Sequence, residues 1–496
     1  METNILKDRV VMEDTPESVG ILSSDIANYI KRLREIKYDL HSLQIVKDGK
    51  LVFAHAAEPY TLESPHRLLS AAKAIIAAAV LFAIDEGALS FESKIIDYFR
   101  DKLPQDYDKR FEEITVYDIL TMQSGQNSDK AFMYFLEHPD ADLCKLFFHT
   151  PMDCKPGVHF FYNNSIPHLL FFLVERATGI GIQTYINEKI CIPLGIEIIA
   201  QHNKYDIYDP VTTVVSANGF LKLGIWFLQN GRWKDKQLIN SELIKKACRQ
   251  QTWTGLETTG YHNGKGYCMQ LWKNAFGGCR MHGGGGQIAL ILPEQNMVVA
   301  IMANESREDL AIQLFYEEIL SKIRGRKLIQ EPEGIHLIET AKQNMSRIYC
   351  DLVPIDKSKS IISGKVYKFN NNSWNIQSIS FLFFEKFATI QMEQGGVKKE
   401  YKVGMDDTWF ENKSFLIVEP DLSIQNCIYG PDSQICKLSG GWISDSTFAI
   451  VCKSAASMGY YVYEYEFSEE SIKLSIPGGV SQGMKQESEC GSLKSI

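Results

Sequence analysis

No apolar run in this 496-residue chain is long enough to cross a bilayer: the longest, Ala74 to Ile84, covers about half of the roughly 20 residues needed. No secretory h-region follows the polar start Met1-Glu2-Thr3-Asn4, so a cytoplasmic protein is expected. Positive charge is not in excess. A net charge of -9 leaves no footprint for nucleic acid and no reason to expect an anionic membrane as partner. The 11 cysteines are scattered and include no Cys-x-x-Cys, which reads as reduced thiols rather than a disulfide framework or a zinc site. There is no phosphate loop, no dinucleotide fingerprint, no metal-ligand set and no internal repeat. No cofactor and no metal are expected, and the partner expected is a small-molecule substrate.

What is present is ordinary for a soluble globular chain, 45% hydrophobic and 23% charged, with length enough for about three domains. One stretch organises it. Leu69-Ser70-Ala71-Ala72-Lys73 opens the Ala74–Ile84 run. Ser70 and Lys73, three apart, share a helix face. A serine in a first turn has unpaired N–H groups and the positive end of the helix dipole beside it. A lysine one turn on can take its proton, which is the outline of an activated nucleophile. Ser-x-x-Lys occurs once in the chain. The run after it is apolar on all sides, so the helix is predicted to be buried, with Gly87 as its stop.

Around this stretch, residues 20–35 carry helical periodicity, and Ser42–Val46 and Leu51–Ala54 flank Asp48-Gly49 as a β-hairpin. Residues 111–125 read as a short helix ending in a turn, and 165–190 and 217–230 as helices. Strands return at Gln287–Leu292 and Val298–Met302. A helix with the stripe Ile312, Phe315, Ile319 and Ile323 follows, with Ser306 and Asp309 resembling a capping box. Strands at both ends of one segment predict an α+β domain whose sheet is closed by its termini, residues 1–328. Residues 329–345 read as a linker and short helix. Residues 346–496 read as an antiparallel sandwich or barrel, with strands at Phe381–Ile390, Phe415–Val418, Phe448–Val451 and Tyr461–Phe467. Tyr461, Tyr463 and Tyr465 alternate and should line one face of it. Lys357-Ser358-Lys359 reads as a solvated loop, and His149, His159 and His168, without paired ligand spacing, read as structural.

Two more motifs complete a chemistry. Phe161-Tyr162-Asn163-Asn164 follows the turn Lys155-Pro156-Gly157, and Met281-His282-Gly283-Gly284-Gly285-Gly286 enters the strand at 287. Acyl transfer by a serine needs a nucleophile, a proton acceptor, a donor for the leaving group and an oxyanion hole. Ser70, Lys73, Tyr162 and the glycine-rich strand entry can supply all four.

With the ordered set Ser70-x-x-Lys73, Tyr162-x-Asn164 and His282-x-Gly284, residues 15–325 resemble the serine β-lactamase and penicillin-binding-protein superfamily in its class C-like branch. That branch includes family VIII esterases, D-aminopeptidases, D,D-carboxypeptidases and 6-aminohexanoate-oligomer hydrolases. The resemblance implies a β-lactamase/transpeptidase-like fold, an antiparallel sheet flanked by helices, and a C-terminal domain like the lipocalin-like barrels of some relatives. It implies that Ser70 is the acyl-accepting nucleophile, that Lys73 and Tyr162 share the general-base work, and that Tyr162 protonates the leaving group. Asn164 should hydrogen-bond Lys73 or the substrate, with Lys73 and His282 as cationic neighbours of Tyr162. Backbone N–H groups of Ser70 and Gly285, beside Gly284, should form the oxyanion hole. Tyr185-Ile186-Asn187 and His262-Asn263-Gly264 fit the same patterns, but the first lies inside a helical stretch and the second in a polar loop. His stands where many penicillin-recognising members have Lys, which favours a small ester, amide or D-amino-acid peptide over a β-lactam. The alternatives are a β-lactamase or D,D-carboxypeptidase, and an inactive binding or sensor protein of the same fold. Oligomeric state has no sequence signal.

Overall fold

The structure, a computed structural model, describes residues 10–199, 213–255, 266–305, 307–346, 352, 362–405, 407–413, 415, 435–453, 460–476 and 487–493. Ser306, His262, Lys357-Ser358-Lys359 and most of the 415–418 strand lie outside them. Among the described residues no helix is long and apolar enough to cross a membrane.

The two ends of the first domain meet in one seven-stranded sheet. Its order is Met12–Glu13, Lys50–Ala56, Leu40–Lys47, Met297–Ala303, Gln287–Leu292, Cys279–Gly283, Trp272–Lys273. Val46 lies opposite Val298 and Leu43 opposite Ile301, which is the expected closure by both termini. The hairpin turn at Asp48-Gly49 has both residues at positive φ, 53° and 72°, as a two-residue turn with the native strand twist requires. The apolar strands alternate strictly between two cores. Ile288, Leu290, Met297, Val299 and Ile301 face the helices Ser23–Glu35 and Glu308–Glu318. Ala289, Ile291, Val298, Ala300 and Met302 face the helical region.

The Ser70 stretch forms a 3-10 turn, Leu69–Ala72, running into the helix Lys73–Asp85. That helix is buried from Lys73 through Ala83 on every side, as an apolar-all-round sequence predicts, and Gly87 turns the chain at φ 77°. The Cys279–Gly283 strand packs straight onto the turn that precedes it. A Cβ on Gly283 would lie 2.0 Å from the Leu68 carbonyl oxygen and 2.9 Å from the Ala71 nitrogen. Only glycine lets these two stretches of backbone meet.

The segment read as a linker and short helix forms the helix Gly334–Ser346, docked on the first domain. Ala341 and Met345 join its core, Glu331 accepts from Ser24 N at 2.7 Å and Arg34 donates to the Asn344 carbonyl at 2.5 Å. Beyond it, ten strands form a nearly closed sheet, with the Val397–Met405 and Ile435–Trp442 strands pairing to draw its edges together. Tyr461, Tyr463 and Tyr465 do line one face, packed in its aromatic core. The expected single strand Phe381–Ile390 is instead a hairpin, Ile376–Phe383 and Phe387–Gln394, because the chain turns back where Phe384 N donates to the Phe387 carbonyl at 2.9 Å. Alternation runs through the turn, so the pattern alone hid it.

The barrel is pinned to the first domain by a buried charge pair. Lys453 Nζ, at the end of the Thr447–Lys453 strand, lies 2.8 Å from Asp39 Oδ1, and both residues are buried. His41 Nε2 sits 3.0 Å from the other Asp39 oxygen. Burial alone would raise the Asp39 carboxyl; Lys453 and His41 outweigh it and hold the carboxyl below the usual carboxylate range. His41 Nδ1 continues to His66 Nε2 at 2.8 Å, and burial with the neighbouring His41 pushes His66 down to about 3. A second tie runs from Lys437 Nζ to the Pro59 carbonyl at 3.1 Å.

Two outcomes follow from this packing. Lys453→Met strands a buried carboxylate and should cost about 3–5 kcal/mol in urea unfolding at neutral pH. Because the folded Asp39 carboxyl is depressed, the pair stabilises fully above the unfolded value of about 3.9 and loses that effect as pH falls through the folded one. The gap between wild type and variant should therefore hold at neutral pH and close only under strong acid. Gly283→Ala should destabilise by roughly 1–3 kcal/mol in thermal melts through overpacking. Gly325→Ala, where nothing lies within 4 Å of the added carbon, should change the midpoint little.

Candidate active site

The place of Ser70 is set by backbone. Leu69, immediately before Ser70, holds φ 49°, a left-handed conformation that an unbranched-at-Cβ side chain tolerates only under constraint. The constraint is visible on both sides: Leu68 N donates to the Thr213 carbonyl at 2.9 Å, and Gly283 presses on the Leu68 carbonyl. Leu69 and Ser70 are half-buried at the surface of this junction.

Lys73 is 2% exposed, and its ammonium is fully engaged by what the sequence motifs bring to it. Nζ lies 2.8 Å from Ser70 Oγ and 3.0 Å from Asn164 Oδ1, and 4.8 Å from the centroid of the Tyr162 ring. Three residues, Ser70 from its own motif and Tyr162 and Asn164 from a second, thus surround one buried nitrogen. Tyr162 is held by aromatic packing, stacked on Trp272 at 5.4 Å between centroids and edge-on to Tyr267 at 6.3 Å. The turn that delivers it is docked on the Ile114–Gly125 stretch: Gly157 N donates to the Gln123 carbonyl and Phe161 N to the Met122 carbonyl, both at 2.9 Å.

Asn164 is oriented from behind by Asp129, a residue without a motif to mark it. Asp129 accepts from Asn164 N at 2.9 Å and from Nδ2 at 2.8 Å, which turns the Asn164 carbonyl oxygen toward Lys73. Burial raises the Asp129 carboxyl above its ordinary value, with Asn164 and Lys73 pulling against it.

The glycine-rich strand entry is built differently from expectation. Alternation along Cys279–Gly283 aims Met281 at the core on the Ser70 side and pairs His282 with Ile288 on the opposite one. Among the described residues His282 makes its side-chain hydrogen bonds to Arg280 and Glu308. Its Nδ1 accepts from Arg280 Nε at 3.0 Å, and its Nε2 lies 2.7 Å from Glu308 Oε2. A guanidinium only donates, so the imidazole proton sits on Nε2 and points to Glu308. Arg280 is fully buried, bonded to the Lys273 carbonyl at 3.0 Å, and burial brings its guanidinium down to about 10. The other Glu308 oxygen accepts from the Gly285 N–H at 2.7 Å, so the donor expected in the oxyanion hole already holds a carboxylate. Gly284 fits beside it: a methyl group there would lie 3.6 Å from Leu69 Cδ1 and 3.8 Å from Glu308 Oε1.

The structure thus brings Ser70, Lys73, Tyr162 and Asn164 together, and sets His282, Gly284 and Gly285 around Glu308 at the neighbouring strand end. Asp129, Trp272, Arg280 and Glu308 escaped the sequence reading. Arg280 had a signal, since residues two apart on a strand share a face with His282; Asp129 and Glu308 reach their partners across 35 and 23 residues of chain. Tyr185, the alternative tyrosine, lies in a helix with its hydroxyl 2.6 Å from Glu86. His149 caps a helix by bonding the Lys145 carbonyl, and His168 packs against Phe132 and Phe135.

Comparison with known proteins bears on this geometry. The family model described as Beta-lactamase matches residues 41–318. A putative D-alanyl-D-alanine carboxypeptidase of Escherichia coli (strain K12) is 26% identical over 215 residues, 38% of this chain and 49% of that protein. A putative fimbrial assembly protein FimD, serogroup D, of Dichelobacter nodosus is 32% identical over 126 residues, 25% of this chain and 32% of that protein. The chain thus spans half or less of the length of these curated relatives. Among solved structures, the octameric penicillin-binding protein homologue from Pyrococcus abyssi is 17% identical with a TM-score of 0.47, over 95% of this chain and 99% of that one. A putative 6-aminohexanoate-dimer hydrolase from Bacillus anthracis is 18% identical with a TM-score of 0.46, over 63% of this chain and 79% of that one. The family match covers more than half of the 496 residues and takes in Ser70, Lys73, Tyr162, Asn164 and His282: the chain belongs to the β-lactamase family, within the serine β-lactamase and penicillin-binding-protein superfamily.

Proposed function

We propose that this protein is a serine hydrolase that works through an acyl-enzyme on Ser70 and acts on a small ester, amide or D-amino-acid peptide. The observation that carries the reading is the Lys73 ammonium, buried between Ser70 Oγ at 2.8 Å and Asn164 Oδ1 at 3.0 Å under the Tyr162 ring. In the proposed cycle the Lys73–Tyr162 pair takes the Ser70 hydroxyl proton as Oγ bonds to the substrate carbonyl carbon. Tyr162 returns the proton to the leaving group as its bond to that carbon breaks. Water then attacks the acyl-enzyme ester, the same pair takes its proton, and that proton returns to Ser70 Oγ as the Oγ–acyl bond breaks and the acid leaves. Ser70 N–H and the Gly284-Gly285 turn supply the oxyanion donors, once Glu308 withdraws from Gly285. Asp129 acts through Asn164 as a positioning residue.

A retained nucleophile, base and tyrosine weigh against an inactive binding protein of this fold. The name of the Escherichia coli relative favours a second reading, a D,D-carboxypeptidase. Residues 346–496 are proposed as an appended domain of the hydrolase unit 1–328, held by Lys453 and Lys437.

Hydrolysis of p-nitrophenyl butyrate, D-alanyl p-nitroanilide and nitrocefin, followed in parallel, tests these readings. Turnover of at least one substrate should vanish in Ser70→Ala and fall about 10²–10⁴-fold in Tyr162→Phe. Equal rates for wild type and Ser70→Ala would end the hydrolase reading, and nitrocefin as the best substrate would move it to a β-lactamase. Asp129→Ala should lower kcat about 100-fold with KM little changed, and Asp129→Asn, which keeps one acceptor, should recover part of it.

A further inference from the structure

Across the Gly284 position from Leu69, the residue before Ser70, stands a charge that the proposed reaction does not use. Glu308 opens the helix Glu308–Glu318 and reaches back across the strand end. Its two oxygens are tied to different parts of the site, Oε2 to His282 Nε2 and Oε1 to the Gly285 N–H, each at 2.7 Å. Behind it the chain Arg280–His282–Glu308 fixes the orientation. Arg280 is fully buried and His282 is 6% exposed, so the imidazole cannot turn without breaking a buried guanidinium contact. The carboxylate itself keeps 22% of its side-chain surface in solvent. It flanks the same one-methyl gap at Gly284 as the side chain of Leu69, the residue before the nucleophile.

We infer that Glu308 is a specificity-determining residue that selects substrates by charge, favouring those that carry an ammonium group near the scissile bond and rejecting those that carry a carboxylate. The inference rests on the hydrolase reading above. An acyl oxygen that takes the Gly285 N–H must displace Glu308 Oε1. The displaced oxygen keeps its negative charge in a half-dry site and needs another partner. A substrate ammonium supplies one, and the Gly285 hydrogen bond is exchanged for an ion pair. A neutral substrate leaves the oxygen to water. A substrate carboxylate meets like charge; Arg280 is buried behind His282 and cannot offset it, and the neighbouring Arg307 is paired with Glu305. Lys73 is committed to Ser70 and Asn164. The substrate class is therefore an ester or amide with a free amine, as in an amino-acid amide or a peptide amino terminus.

The test compares three fluorophosphonates of equal length that end in an ammonium, a hydroxyl or a carboxylate. In each, Ser70 Oγ displaces fluoride from phosphorus and its proton passes to solvent, so labelling reads access to the nucleophile without requiring turnover. The rate of Ser70 modification is followed by mass spectrometry at low salt. Wild type should react in the order ammonium, hydroxyl, carboxylate, with about tenfold between the ends, and added salt should compress the series. In Glu308→Gln the three rates should fall within about threefold, and Glu308→Asp, which keeps the charge, should preserve the order. A flat or reversed order in wild type overturns the inference and leaves the hydrolase reading standing, as does an unchanged order in Glu308→Gln. If no probe modifies Ser70 in folded wild-type protein, the hydrolase reading itself fails and takes this inference with it. Should Glu308→Gln not fold, the wild-type order and its salt dependence decide.

Discussion

The site depends on two stretches of main chain touching. The Leu68 carbonyl occupies the space where a side chain on Gly283 would begin, 2.0 Å from that carbon. This contact joins the edge of the sheet to the turn that carries Ser70, and with the Leu68–Thr213 hydrogen bond it holds Leu69 in a left-handed conformation. Lys73 then needs no freedom of its own. It begins a helix buried on all sides, so its nitrogen is delivered to Ser70 by the core rather than by solvent-exposed contacts. Ser70 is placed by packing and by glycine, and the polar groups refine what packing has set.

Two of the buried cations, Lys73 and Arg280, lie at the site. Lys73 has no carboxylate in direct contact among the described residues; it is surrounded by a hydroxyl, an amide oxygen and a ring face, and Asp129 stands behind Asn164. Arg280 is separated from Glu308 by a neutral imidazole. In both places one polar, uncharged side chain stands between opposite charges. That arrangement keeps each charge buried at tolerable cost while leaving its outer partner responsive to what binds.

Much of this was legible in the sequence. Period-two alternation in Gln287–Leu292 and Met297–Ala303 fixes which residue faces which core, and the all-apolar run after Lys73 announces a buried helix. The motifs at 70, 162 and 164 converge because each sits at an element end, where short local signals govern. Legibility stopped where contacts depend on distant chain. Glu308 reaches Gly285 from another element, and Asp129 reaches Asn164 from a loop with no periodicity. The surroundings of His282 differ from expectation for a different reason. Spacing named the residue, but the face of the strand was set by pairing with Ile288, a register no motif encodes. In the barrel, alternation persisted through the turn at Phe384, so one strand was expected where the chain makes two.

The pairing of Asp39 with Lys453 spans 414 positions. On a growing chain the carboxylate, its two histidines, the Ser70 turn and the whole seven-stranded sheet emerge long before the lysine exists. At ordinary rates of synthesis the interval is on the order of 20 to 80 s. Through that time the Asp39–His41–His66 chain lacks the Lys453 cation. The first domain can collect its strands early, yet the Asp39–Lys453 pair closes only when the last-made sheet is delivered. Burial of Asp39 with its cation is thereby tied to synthesis of the Thr447–Lys453 strand, and a ribosome that stops short of it releases a molecule whose motifs are intact and whose Asp39 has no cation from the barrel.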